Sequence, residues 1–380
     1  MAATYYKGLL EASARRRATE FSGLNRFDPT RDRSTTGPTV QPADHSSRDD
    51  RPKHALVGLD WGTSSLRAHL FGSDGAVIET RTRPWGIRHL PEGGFDAAFT
   101  AVVGDWLADV PTLPVVACGM VGSRQGWREV PYARCPIDAR SLAAALVPCD
   151  TGHGVLRIVP GVMVKGDRAT RPERLPDVMR GEETQICGAL ARAPDLAAAS
   201  LIVLPGTHSK WCRVRDGRLT AFTTFMTGEL FAVLRDHSLL GAPGTRATAE
   251  TDAHEYRDPT AAAFLRGVKI ARDAGAEGIA GRLFSTRTLY LAGDLAAEDV
   301  TDHLSGLLIG DEIRSALADQ ETSCGRTPVL VGDPALCARY RAAFHEYGLE
   351  DPRILGDTAP TGLWTIATSL AIERQGAQLL

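Results

Sequence analysis

The string Asp60-Trp61-Gly62-Thr63-Ser64-Ser65-Leu66-Arg67 puts an acid at the end of an apolar run, then a glycine, then three hydroxyls. Gly62 lets the backbone approach an anion closely. The N–H and hydroxyl groups of Thr63 and Ser64 can cradle phosphate oxygens, and Asp60 can hold Mg²⁺ through its waters, because that ion dehydrates reluctantly. A plain polar hairpin has the same composition, so the string alone leaves both readings open. A second run, Leu201-Ile202-Val203-Leu204, leads into Pro205-Gly206-Thr207-His208-Ser209-Lys210, with Gly206, Thr207 and His208 as candidate phosphate contacts. Upstream, Arg180-Gly181-Glu182-Glu183-Thr184-Gln185 places two acids in a first helical turn, where carboxylates complement the helix dipole and often do nothing else. The loop from Cys118 to Trp127, followed by Pro131-Tyr132, comes after a strand, and in α/β sheets ligands sit outside the carboxyl ends of strands. Its glycine-rich backbone with Ser123, Arg124 and Trp127 suits a polyhydroxylated ligand. Met120, Gly122, Ser123, Trp127 and Tyr132, with Arg67 and Arg180, are the candidate substrate contacts. Leu330-Val331-Gly332-Asp333-Pro334 reads as strand, turn and helix start, where Gly332 and Asp333 could pass under an adenine and ribose, and an ordinary βα turn explains the string about as well. Leu291-Ala292-Gly293-Asp294 is a weaker rival, and Thr227-Gly228-Glu229 and Asp236-His237-Ser238 are weaker ligand candidates.

The elements that must carry these turns follow from periodicity. Strands are expected at 54–60, 65–71, 76–83, 114–118, 156–159, 201–204, 212–214, 219–225, 288–292 and 328–331, and helices at 95–108, 141–147, 182–192, 229–236, 260–272, 298–316 and 334–347. The glycine-spaced run Leu304–Gly310 reads as a packing or hinge face between domains, with plain core as the other reading. Strands alternating with helices in both halves predict an α/β protein of two layered domains, residues 54–179 and 180–380. Residues 1–53 read as a dispensable leader. Within it 28–53 hold no aromatic and Val40 as the one large aliphatic, too little apolar surface to offset ordering entropy.

Composition excludes several classes. The net charge of −3 over 380 residues gives no basic field for nucleic acid or an anionic membrane. The longest stretch free of acidic and basic side chains is 358–372, 15 residues, whereas a spanning helix needs about 20. Seven dispersed cysteines with no CxxC read as reduced thiols and a cytoplasmic protein. There is no P-loop, HExxH, GxSxG or GxGxxG after the first strand, which removes P-loop kinases, zincins, α/β-hydrolases and Rossmann dehydrogenases as first readings.

Two Gly-Thr hairpins in successive α/β halves form the paired phosphate loops of actin-like ATPases and sugar kinases, and the sequence is similar to these. FGGY-type sugar kinases carry Gly-Asp-Gln, whose Asp is the general base, about one helix before the second loop. That likeness puts Glu182 in the base register, with Glu183 beside it. In order along the chain, DWGTSSLR, GMVGSRQGW with PY, RGEETQ, LPGTHSKW, MTGEL, HSLLG, SGLLIG and ARYRAAF resemble the 2-keto-3-deoxygalactonate kinase family over about residues 54–375. The resemblance implies two actin-like (ribonuclease H-like) domains with ATP and substrate between them. It also implies ATP- and Mg²⁺-dependent phosphorylation of the 6-hydroxyl of 2-dehydro-3-deoxygalactonate in galactonate breakdown. The implied partners are the sugar acid and ATP, with no nucleic acid and no membrane; a homodimer is left open. The leader departs from the family's compact form and puts the start of the chain in question, not the activity. Arg124, Arg180 and Lys210 are the cations available to the substrate carboxylate. Two other readings carry the same fold: a kinase for an aldose or amino sugar, and a nucleotide-switched regulator, which would usually need an added DNA-binding module, whereas the leader shows no helix-turn-helix pattern.

Overall fold

Alternation along the first strand sets the architecture. In β1 (His54–Trp61), Val57, Leu59 and Trp61 face one side and Leu56 and Gly58 the other, and this strand is covered on both. The computed structural model describes residues 54–166, 175–243, 258, 260–275, 278–318 and 327–376; the expected leader, 1–53, lies outside them.

β1 pairs with β2 (Leu66–Gly72) across the Gly62–Ser65 turn, and β2 with the exposed edge strand β3 (Val77–Arg83). On its other side β1 runs parallel to β4 (Val115–Cys118), which runs parallel to β7 (Gly154–Ile158). Antiparallel β6 (Val147–Thr151) closes a sheet of order β3-β2-β1-β4-β7-β6. Helix α1 (Gly94–Asp109) packs Phe99, Val102, Val103 and Trp106 against Val57, Leu59 and Trp61. A small sheet of β5 (Ala133–Arg134), β8 (Val162–Val164) and β9 (Asp177–Met179) follows, with the short helix α2 (Ala139–Ala144) between its strands.

After α3 (Glu182–Arg192) the plan repeats. β10 (Ala199–Leu204), β11 (Ser209–Arg215) and β12 (Arg218–Phe225) are antiparallel, and β13 (Val329–Leu330) lies parallel to β10, in the order β12-β11-β10-β13. A hairpin meander joined to parallel strands, in both sheets, is the ribonuclease H-like arrangement expected. Helices α4 (Thr227–His237), α5 (Ala262–Arg272), α6 (Ser285–Ala292), α7 (Val300–Ala318) and α8 (Pro334–Glu346) complete this half. Phe264, Ile309, Tyr340 and Phe344 fill its core against Leu201 and Val203. The C-terminal helix α9 (Ala359–Gly376) packs Leu363 and Ile366 into a third core. That core draws Leu56, Phe71 and Val116 from the first sheet and Ile202 and Leu204 from the second. A Cβ on Gly362 would lie 1.9 Å from the Thr184 carbonyl oxygen, so α9 and α3 touch backbone to backbone there.

Several expectations are corrected. Residues 288–292 are helical, not a strand, and Gly293 ends α6 in the left-handed conformation. A short apolar run does not distinguish strand from helix by periodicity. The helix expected at 141–147 is α2, capped by Asp138, and Val147 already belongs to β6. Gly306 abuts the Phe264 backbone on α5, 2.0 Å from where its Cβ would be. The 304–310 run is thus helix–helix core within the second half, not a domain hinge. β5, β6, β8, β9 and α9 carry no signal strong enough to have been expected. The six described cysteines are free, and no described helix is long and apolar enough to cross a membrane.

Candidate active site

The carboxyl ends of β1, β4, β10 and β13 carry the turns at Asp60, Gly119, Gly206 and Gly332, so four of the expected motifs lie at strand ends of parallel pairs. In the first turn Gly62 N–H donates to the Ser65 carbonyl (2.9 Å). The segment after Trp85 covers the turn: Ile87 and Arg88 N–H take the carbonyls of Gly62 and Thr63. The carbonyls are thereby engaged, while the N–H groups of Thr63 and Ser64 meet no acceptor among the described residues. That is the polarity an anion cradle needs.

Asp60 lies largely buried at the foot of this turn, its Oδ2 2.5 Å from Arg67 Nη2, and Arg67 Nη1 lies 2.6 Å from Asp357 Oδ2. Arg67, expected at substrate, therefore bridges two carboxylates. Burial raises the Asp60 pKa, Arg67 pulls it down, and Asp357 and then Glu182 push it up, with the balance upward. No group of three acid, histidine or cysteine side chains forms a ready metal cage among the described residues. Mg²⁺ needs none, since it is commonly held by one or two carboxylates, waters and phosphates. An acid disfavoured in its charged form, with two more acids nearby, suits such a cation.

The second turn repeats the first. Thr207 gives its carbonyl to Glu229 N–H (3.0 Å) at the start of α4, and the N–H groups of Thr207 and His208 meet no acceptor among the described residues. His208 Nε2 lies 2.5 Å from Glu229 Oε2, so Glu229 holds this turn. Gly332 lies beside Pro205, and Asp333 caps α8 by accepting from Leu336 N–H (2.9 Å), placing this turn next to the second loop.

Between the turns stands the start of α3. A Cβ on Gly119 would fall 2.8 Å from the Trp61 carbonyl oxygen, and Gly181 packs onto Gly119 in turn. This contact chain seats α3 against the first hairpin. Glu182 Oε2 accepts from Arg180 N–H (3.0 Å), its Oε1 lies 3.3 Å from Lys210 Nζ, and its side chain is 26% exposed. Lys210, 3% exposed, also donates to the His208 carbonyl (2.9 Å), so it ties Glu182 to the second turn. Glu183 points the other way. It is 1% exposed, and its oxygens accept from Gly181 N–H (2.7 Å) and the Thr184 hydroxyl (3.0 Å).

Burial, then the neighbouring Glu182, pushes the Glu183 pKa from the ordinary 4.5 up to about 7. The folded protein thus binds this proton more tightly than the unfolded chain. Its contribution to stability is complete below pH 4.5 and is lost as pH rises through about 7, an effect of up to about 3 kcal/mol. Melting temperatures across that range should decline with pH, and Glu183→Gln should flatten the decline. An unchanged slope in the mutant would refute the assignment.

The loop at 119–132 is partly structural. Trp127 stacks on Phe95 (5.8 Å, 11°) and meets Trp61 and Phe99 edge-on, half-buried at the edge of this aromatic cluster. Met120 to Gly122 form one 3₁₀ turn. Gly122 makes room for the Arg180 guanidinium, whose Nη2 donates to the Val130 carbonyl (2.7 Å) and whose plane lies 4.5 Å from the Tyr132 ring. Arg180 Nε and Nη1 and Ser123 Oγ are buried and meet no partner among the described residues. Asp357 was missed: it lies 290 residues from Arg67, and no local pattern marks it.

A model of the 2-keto-3-deoxy-galactonokinase family matches residues 60–366. A protein of Rhizobium meliloti (strain 1021) named a probable 2-dehydro-3-deoxygalactonokinase is 38% identical over 80% of this chain and 93% of its own. The 2-dehydro-3-deoxygalactonokinase of Escherichia coli (strain K12) is 35% identical over 83% of this chain and 98% of its own. The crystal structure of a Sinorhizobium meliloti protein assigned the same activity superposes with a TM-score of 0.70 at 36% identity, covering 83% of this chain and 99% of that one. With two Gly-Thr turns on repeated sheets and an acid-led helix between them, the chain belongs to the 2-keto-3-deoxy-galactonokinase family.

Proposed function

We propose that this chain transfers the γ-phosphoryl group of ATP to the 6-hydroxyl of 2-dehydro-3-deoxygalactonate, a step in galactonate breakdown. The observation that carries the reading is that Lys210 joins Glu182 to the second Gly-Thr turn while the Gly181, Gly119 and Trp61 contacts seat α3 beside the first, each turn with open N–H groups. Phosphoryl transfer asks a protein for positioning and charge stabilisation more than covalent chemistry. The turn at 62–64 and the turn at 206–208 hold the phosphates, and the Gly332-Asp333 turn lies on the nucleoside side. Asp60 would hold Mg²⁺, which would supply charge neutralisation at the phosphoryl oxygens. Glu182 accepts the proton of the attacking hydroxyl.

Of the three cations available to the substrate carboxylate, Arg180 is favoured. Lys210 is committed to Glu182 and the His208 carbonyl, and Arg124 is exposed. Arg180 packs on Gly122 and keeps two buried donors that meet no partner among the described residues, and an unsatisfied buried donor is costly unless a ligand completes it.

A coupled ADP-release screen over keto-deoxy sugar acids, aldonates and free aldoses tests the reading. Turnover is expected with 2-dehydro-3-deoxygalactonate and almost none with galactose; robust turnover of a free aldose alone would overturn it. In the same screen Arg180→Met should raise KM for the sugar acid by about tenfold or more, the scale of a lost charge-assisted hydrogen bond. An unchanged KM would move the carboxylate elsewhere.

A further inference from the structure

Behind the second phosphate turn lies a buried carboxylate that no motif marks. Glu312 on α7 is 3% exposed. It accepts from Trp211 Nε1 (2.7 Å), from the Tyr340 hydroxyl (2.7 Å) and from the Thr227 hydroxyl. Tyr340 Oη lies 2.9 Å from Ser209 Oγ, and Ser209 Oγ lies 3.3 Å from Gly206 N. The Tyr340 hydroxyl donates to Glu312 Oε2, so its proton is committed there; burial raises the Glu312 pKa, and the hydrogen bonds from Thr227, Trp211 and Tyr340 oppose that rise. Tyr340 then accepts from Ser209, at 2.9 Å against 3.4 Å for the competing Gly206 carbonyl. Ser209 in turn takes the Gly206 N–H. The order of protons is set from one end, and it turns the Gly206 N–H inward while the next two N–H groups meet no acceptor among the described residues. The second support of the turn has the same root. Thr227, bound to Glu312, begins α4, and the next residue, Gly228, packs on the Gly206 carbonyl and Thr207 Cα.

We propose that Glu312 is a positioning residue for the second phosphate turn, setting the Gly206 peptide and the start of α4 in the orientation that binds the triphosphate. This rests on the reading of that turn as an ATP contact. Glu312→Gln keeps the size but offers an amide donor where two hydroxyls donate, so the proton order loses its anchor. Steady-state kinetics with each substrate varied, calorimetric ADP binding and melting temperature form the test. The expected result is a rise of about tenfold in KM for ATP, a matching loss of ADP affinity and an unchanged KM for the sugar acid. Tyr340→Phe should reproduce the effect, and the double mutant should add little to either single one, as members of one network do. Asp302→Asn is the control. It breaks a buried pair with Arg339 that joins the same helices, α7 and α8, and it is not among the hydrogen bonds that link Glu312 to the turn; it should lower the melting temperature and leave KM for ATP unchanged. Wild-type ATP and ADP affinities in folded Glu312→Gln, or a rise in both KM values alike, would overturn the proposal. If that variant does not fold, Tyr340→Phe decides by the same criteria. Wild-type protein that fails to turn over ATP would instead sink the reading of the site.

Discussion

Glu182→Gln is expected to lower turnover by at least about a hundredfold, within the 10²–10⁴ range of general-base help, while ATP still binds. Glu183→Gln is expected to stay near wild type at neutral pH. Both are acids at the start of α3, and adjacent helical side chains diverge by about 100°. Glu182 is partly exposed and faces Lys210 from the second sheet, so a substrate hydroxyl can reach it. Both oxygens of Glu183 are occupied, by the Gly181 N–H and the Thr184 hydroxyl, in a site closed to solvent. Its raised pKa alone would make Glu183 a reasonable base. Geometry favours Glu182 in the proposed reading, because a base must lie within hydrogen-bond reach of the proton it removes. Purified single mutants assayed under saturating ATP and sugar acid separate the two. A reversed pattern would make Glu183 the base, and two active mutants would leave Glu229 as the next acid to test.

Asp60→Asn is expected to cost turnover about 10²–10³-fold, the scale of removing one electrostatic contact to the transition state, with melting temperature close to wild type. The amide preserves shape. It removes the charge proposed to hold Mg²⁺ and leaves Arg67 held by Asp357 alone. Burial already disfavours the charged form of Asp60, with Asp357 and Glu182 adding to it. The carboxylate thus has an electrostatic reason to take a divalent ion as well as Arg67. A Mg²⁺ titration of the mutant gives the readout. If the mutant's Mg²⁺ response matches the wild type's, Asp60 serves only as an anchor for Arg67.

The parts of this protein legible in its sequence are those whose physics is local. A glycine and hydroxyls after a buried apolar run specify a turn with donor groups, and this was readable at both 60–64 and 205–209. Helical periodicity with acids at the front specified α3 to the residue. What only tertiary structure decided is which of these groups meet. Arg67 finds Asp357 across 290 residues, Lys210 comes from another sheet to Glu182, and Glu312 reaches back 101 residues to Trp211. Trp127 looked suited to a ligand by type and loop, yet packing gave it three aromatic neighbours. The charge-free stretch after Asp357 carried no clear period, and it became a helix because α3 and both sheets offered it a surface to bury against. Backbone conformation follows from neighbours within a few residues, whereas ion pairs and core contacts are fixed by where whole elements dock.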